Sequence, residues 1–331
     1  MIRARPVADS SARPTAAALV LLGLLAGPAA AAQHPNYVLP PSELEALLAD
    51  APFQIVGFRD NRWQGDRTQR VEIRFPDGLQ VVVKWAKAAP GGFALNNQPR
   101  YEVAAYEIQK LFLDEADWVV PPTVMRALPL RLYRQIEPEI GPTFEGTGSV
   151  VVAIQYWLVN VDAETEPDTA RMVTDPAYAH RLAQLNLLTY LIHHVDSNPG
   201  NVLISTQGPP RLFAVDNGVA FRSPESPRGT VWKNLHTPRL PTGPVRRLRA
   251  LTRADLLEAL YVVSQFRVRA DGRLEATRPG PKLDENKGVV RDGDTIQLGL
   301  TNLELDELWD RVRSLLERVD AGEIETYGAP E

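Results

Sequence analysis

Three polar side chains, Asp196, Asn201 and Asp216, are spaced so that one tight turn would gather them. Short strand-like runs at 202–205 and 211–215 flank the turn signal Gln207-Gly208-Pro209-Pro210, which predicts a β-hairpin. Asp196 and Asn201 precede the first strand and Asp216 leaves the second, so the hairpin brings all three to one end. Phosphoryl transfer needs such a set. One carboxylate accepts a proton from an attacking hydroxyl, while an amide and a second carboxylate hold a divalent ion against nucleotide phosphates. The plain alternative is a turn capped by Asx side chains, with no chemistry.

The elements that must position this set are readable in order. Ser42 can cap a short helix through Ala49, after a stretch from Gln33 to Pro40 that reads as an extended linker. Strands follow at 54–58, 70–75 and 79–84, the last two joined by the turn signal Pro76-Asp77-Gly78. Lys84 ends the run Val81-Val82-Val83 and shares a face with Val82. If that face is covered, the ammonium needs a partner; on an uncovered edge it would point to solvent. Tyr101, Ala104, Ala105, Ile108, Leu111 and Phe112 repeat at helical spacing, with Glu102 and Glu107 beside the stripe. An apolar strand spans 150–158, between loops at 136–149 and 161–173.

Asp175-Pro176 opens a helix that runs toward Asp196, with Pro at the first helical position. Beyond Phe221 the segment to Pro244 is rich in Pro and Arg. Thr252 with Asp255 starts a helix expected to reach Phe266, Asp271-Gly272 marks a hairpin, and Thr301 with Glu304 caps a last amphipathic helix.

The ordered set resembles the protein-kinase-like superfamily. His194-Val195-Asp196, with Asn201 five residues after Asp196, is similar to its His-x-Asp-x-x-x-x-Asn loop. Pro199-Gly200-Asn201-Val202-Leu203 resembles the aminoglycoside and choline phosphotransferase branch. Val215-Asp216-Asn217-Gly218 looks like the lipid-kinase-like and secretory-pathway branches, where Asp-Phe-Gly stands in protein kinases. The resemblance implies an α+β, bilobal fold: a strand-rich N-lobe over 53–160 and a mainly helical C-lobe over 161–331. It implies ATP and Mg²⁺ (or Mn²⁺) as cofactors. Lys84 would hold the α- and β-phosphates, Glu102 rather than Glu107 would order Lys84, Asn201 and Asp216 would bind the metal, and Asp196 would act on the acceptor hydroxyl. Adenine would meet the backbone after Leu158. The chain departs from the protein-kinase pattern at three points. Asn198 stands where a γ-phosphate lysine is usual, Asn217 replaces the gating Phe, and the loop at 60–67 has only Gly65 where a Gly-x-Gly-x-x-Gly cover is expected. No Ala-Pro-Glu follows. The implied activity is an atypical kinase with a small-molecule, lipid or protein acceptor. The alternative is an exported pseudokinase that binds a nucleotide or a partner.

Composition limits the other classes. The 331 residues carry a formal net charge of -5 and are 44% hydrophobic, which suits a globular chain and not a nucleic-acid-binding surface. With no cysteine, thiolate metal sites and thiol nucleophiles are excluded, and five histidines without His-Glu-x-x-His spacing do not point to zinc. Ser205 and Ser223 lack the Gly-x-Ser-x-Gly elbow of a hydrolase. Arg3, Arg5 and Arg13, then the apolar stretch 16–26, then Ala30-Ala31-Ala32 predict a secretory signal over 1–32 and export to the periplasm or beyond. No membrane anchor is expected after its cleavage.

Overall fold

The computed structural model describes residues 35–59, 67–164 and 166–328. The expected secretory signal and the loop tip at 60–66 lie outside them. Local chemistry starts the first layer. Pro41 opens α1 (Pro41–Asp50), whose Leu44 and Leu48 are buried. β1 (Gln54–Arg59), β2 (Thr68–Arg74) and β3 (Gln80–Lys87) pair antiparallel, with Gly78 at positive φ in the turn between the last two. α2 (Pro99–Gln109) crosses to β4 (Thr123–Pro129). The short α3 (Leu130–Tyr133) then leads back to β5 (Ser149–Tyr156). The resulting five-stranded antiparallel sheet has the order β1-β2-β3-β5-β4. Val71, Ile73, Val81, Val83, Trp85, Val152 and Ile154 line one face and form a core with α1.

The stretch expected as a linker is part of that core. Tyr37 is buried against Tyr156 and Phe213, and the Asn36 side chain donates to the carbonyls of Val159 and Asn160 at 3.0 and 3.1 Å. A second correction concerns 161–173, expected as a loop. It contains β6 (Val161–Ala163) and α4 (Thr169–Thr174), the latter capped by Asp168.

α5 (Pro176–Leu191) begins as expected, with Asp175 accepting from the Tyr178 amide at 3.0 Å. β7 (Val202–Ser205) and β8 (Leu212–Ala214) form the predicted hairpin, and β6 adds a third strand to it. β9 (Arg239–Pro241) and α6 (Thr242–Ala250) follow. α7 (Arg253–Leu260) has the expected capping box but stops six residues before Phe266. Tyr261–Val263 turns the chain, and Ser264 opens β10 (Ser264–Val268). It pairs with β11 (Leu274–Thr277) and with β13 (Thr295–Leu298), which pairs with β12 (Val289–Asp292). The chain ends in α8 (Asn302–Asp320) and β14 (Glu325–Tyr327), which lies parallel to β9.

The architecture is thus α+β, with a four-stranded sheet in the second half of which the sequence announced only the hairpin at Asp271-Gly272. A large core joins α2, α5, α6, α7 and α8. A smaller one packs Phe266, Ile296 and Leu298 of the C-terminal sheet against Ala86, Val103, Met125 and Ala153. Among the described residues no helix is long and apolar enough to cross a membrane.

Candidate functional site

β3 carries Lys84 on the face opposite the sheet core, in register with Arg70 on β2 and Gln155 on β5. α2 covers that face. Lys84 Nζ lies 2.6 Å from Glu102 Oε1 and 2.6 Å from Asp216 Oδ1. Glu107 faces elsewhere and meets Lys110 at 2.9 Å, so of the two glutamates Glu102 reaches Lys84. Both ends of α2 are pinned. The Gln98 amide donates to Gly218 O at 3.0 Å before its first turn, and the Gln109 side chain bonds Val119 and Val120 beyond its last. Glu102 Oε2 accepts the Asn217 amide at 3.0 Å, tying α2 to the residue after Asp216.

The other half of the site comes from the end of α5. His193 turns the chain at φ 52°, His194 is fully buried, and the Val195 amide reaches Val219 O. Asn201 Nδ2 donates to Asp196 O at 2.9 Å, and the Val215 amide donates to Asn201 O at 2.8 Å. These bonds hold Asp196, Asn201 and Asp216 at one end of the β7–β8 hairpin. Asp216 itself has φ 61°, a left-handed conformation that aspartate tolerates better than most residues.

Segment 223–229 closes over Asp196. Ser226 Oγ donates to Asp196 Oδ1 at 2.9 Å, and Arg228 Nη1 stands 3.9 Å from Oδ2. Asn96, Asn97, Val219, Pro224 and Ser226 help line a cavity of about 250 Å³ against Asp196.

The electrostatics follow from depth. Burial works against the Lys84 ammonium, yet the charges of Asp216 and Glu102 outweigh it and hold its pKa above the usual lysine value. Lys84 in turn holds the Asp216 carboxyl below its usual range. Glu102 goes the other way: burial pushes its pKa up, opposed by Lys84 and the Asn217 amide. The asymmetry lies in the leading cause: the Lys84 charge dominates at Asp216, and burial dominates at Glu102. Burial also pushes the His194 imidazole down to about 4, against the charges of Asp196 and Asp216, and neither ring nitrogen has a hydrogen-bond partner.

The donor set fits a hard divalent cation held jointly with a ligand. Among the described residues, Asp216 Oδ2 and Asn201 Oδ1 make no hydrogen bond, and no three His, Cys, Asp or Glu side chains group as a metal cluster. One carboxylate oxygen and one amide oxygen leave most of the shell to phosphate oxygens and water, as Mg²⁺ prefers.

Of the residues singled out in the sequence, Lys84, Glu102 and Asp216 are in direct contact, as are Asp196 and Asn201. The Val215–Asn201 bond links the two groups. Ser226 and Arg228 were not anticipated as site residues; the only signal was that the Pro-rich segment after Phe221 follows the Asp216 motif. Gln98, whose amide ties the start of α2 to Gly218, was equally silent. No family model matches the chain, and no curated protein matches it.

Proposed function

We propose that the chain is an atypical kinase, which transfers the γ-phosphate of ATP to an acceptor hydroxyl. The observation that carries this reading is Lys84, buried between Glu102 and Asp216 at 2.6 Å from each. A lysine so held is a fixed cation beside Asp216, and the Val215 amide bonded to Asn201 O ties that residue to the loop of Asp196 and Asn201. The reading extends to architecture: residues 53–160 are an N-lobe and 161–331 a C-lobe of a kinase-like fold. It also takes 1–32 as an export signal.

Each residue then has a task. Lys84 meets the α- and β-phosphates, and Glu102 keeps its ammonium in line. Asn201 and Asp216 present the oxygens that hold Mg²⁺ or Mn²⁺. A bound divalent ion neutralises the charge that builds on the phosphates in the transition state. Asp196 orients the acceptor hydroxyl and takes its proton.

The test is a thermal-shift and calorimetric titration of the chain without residues 1–32 against ATP, with and without Mg²⁺ and Mn²⁺. Metal-dependent binding that Lys84→Met and Asp216→Ala abolish is expected, together with ATP turnover. Binding unaffected by either substitution would sink the reading. Metal-dependent binding without any turnover would leave the nucleotide-binding module in its place.

A further inference from the structure

We propose that Ser226 is itself a phosphate acceptor of the site, so that the chain phosphorylates its own 223–229 segment. The inference rests on the phosphotransfer reading above.

A carboxylate acting as general base must lie about 2.6–3.2 Å from the hydroxyl whose proton it takes. Ser226 Oγ donates to Asp196 Oδ1 at 2.9 Å. Its backbone is clamped to the same loop, since the Ser226 amide donates to Val195 O at 3.1 Å. The hydroxyl also accepts the Arg228 amide at 3.1 Å, which fixes its rotamer with the O–H toward the carboxylate. It opens on the roughly 250 Å³ cavity that Asn96, Asn97 and Val219 line. Neighbouring hydroxyls are engaged differently: Ser197 Oγ accepts the Trp232 amide, and Ser223 Oγ is buried without a partner. Among the described residues, Ser226 supplies the hydroxyl on Asp196.

The step balances with ATP as co-reactant. The Oγ lone pair attacks the γ-phosphorus while Asp196 takes the hydroxyl proton. The Oγ–P bond forms, the bond from the γ-phosphorus to the β,γ-bridging oxygen breaks, and its electron pair leaves with ADP. The new phosphate and the Asp196 carboxylate repel once the proton is lost to water. Arg228, whose Nη1 is 3.9 Å from Asp196 Oδ2, is the cation it turns to. Asp196 is then free for an external hydroxyl.

The experiment is incubation of the chain without residues 1–32 with γ-labelled ATP and Mg²⁺, with mass-spectrometric mapping of the phosphate and ATP turnover measured in the same tube. Ser226 is expected to be the main labelled residue. Label should fall at least tenfold in Ser226→Ala and Asp196→Asn, and remain in Ser223→Ala. Mapping on the unaltered chain does not depend on any variant folding. Asp216-dependent ATP turnover with no phosphate at Ser226 overturns the proposal and leaves the phosphotransfer reading standing. Absence of any Asp216-dependent turnover overturns both.

Discussion

Arg100 and Glu304, 204 residues apart, form a buried two-pronged ion pair: Nη1 lies 2.7 Å from Oε2 and Nη2 2.7 Å from Oε1. The Tyr101 hydroxyl donates to the same carboxylate, and Arg100 Nη1 also donates to Gly299 O at 2.8 Å. Glu304 meanwhile completes the capping box of α8 by accepting the Thr301 amide at 2.8 Å. The pair fastens the first turn of α2, two residues before Glu102, to the start of the last helix. α2 is therefore tied to the C-terminal helix as well as to the sheet that it covers.

Removing one partner of this pair leaves the other charge buried and uncompensated, at a cost of about 3–5 kcal/mol. Glu304→Ala is expected to lower stability by that amount in urea unfolding. It should also weaken nucleotide binding, because Glu102 loses its anchor. Arg100→Lys will not restore the wild-type value, since an ammonium cannot make the parallel pair of bonds.

Lys84→Met is expected to destabilise the fold and to reduce ATP turnover by about 100-fold or more, as loss of one preorganised electrostatic contact does. Adding Glu102→Gln removes the carboxylate left stranded. The double variant should recover stability in thermal unfolding without recovering turnover. Recovery of neither would mean that the ammonium, and not the buried glutamate, sets the cost.

Acid should loosen the fold through His194. Its folded-state pKa is depressed from 6.5 to about 4, so the unfolded chain takes up a proton that the folded chain refuses. The contribution is fully present above pH 6.5 and is lost as pH falls from 6.5 toward 4. It amounts to at most about 3 kcal/mol across that window. Urea midpoints of the wild type and of His194→Leu at pH 7 and pH 5 check this: the variant should show the flatter dependence. Removing an imidazole whose two nitrogens lack partners should also cost little at pH 7.

Gly218→Ala tests the close packing after Asp216. A Cβ there would stand 3.2 Å from Glu102 Oε1, 3.2 Å from Asn97 Cα and 3.3 Å from the Gln98 amide. The methyl presses on both the Lys84 partner and the segment that starts α2. A loss of about 1–3 kcal/mol is expected, with metal-dependent nucleotide binding weakened further than that loss of stability explains. Unchanged calorimetric affinity would show that Glu102 can shift without consequence.

The local parts of this structure were legible. Asp175 with Pro176, Thr252 with Asp255 and Thr301 with Glu304 satisfy backbone amides three residues away, so their helices start where a short window says they do. The 202–215 hairpin is written in its own turn. What was not legible depends on distant partners. Ser264–Phe266 lies in the run expected as helix, and pairing of β10 with β13, some thirty residues later, makes it strand. The buried places of Asn36 and Tyr37 likewise follow from elements that come more than a hundred residues later. Lys84 and Asp216 are 132 residues apart, and only the resemblance of their separate motifs connected them beforehand. For the Arg100–Glu304 pair no such pattern existed: Glu304 was readable as the capping-box partner of Thr301, and nothing in that box points to Arg100.

The left-handed backbone at Asp216 sets two demands against each other at one position. Glycine adopts that conformation without a Cβ penalty, so Asp216→Gly relieves the main chain while deleting the carboxylate beside Lys84. The main chain gains and the Lys84 ion pair loses, so the two effects on stability oppose each other at this one residue.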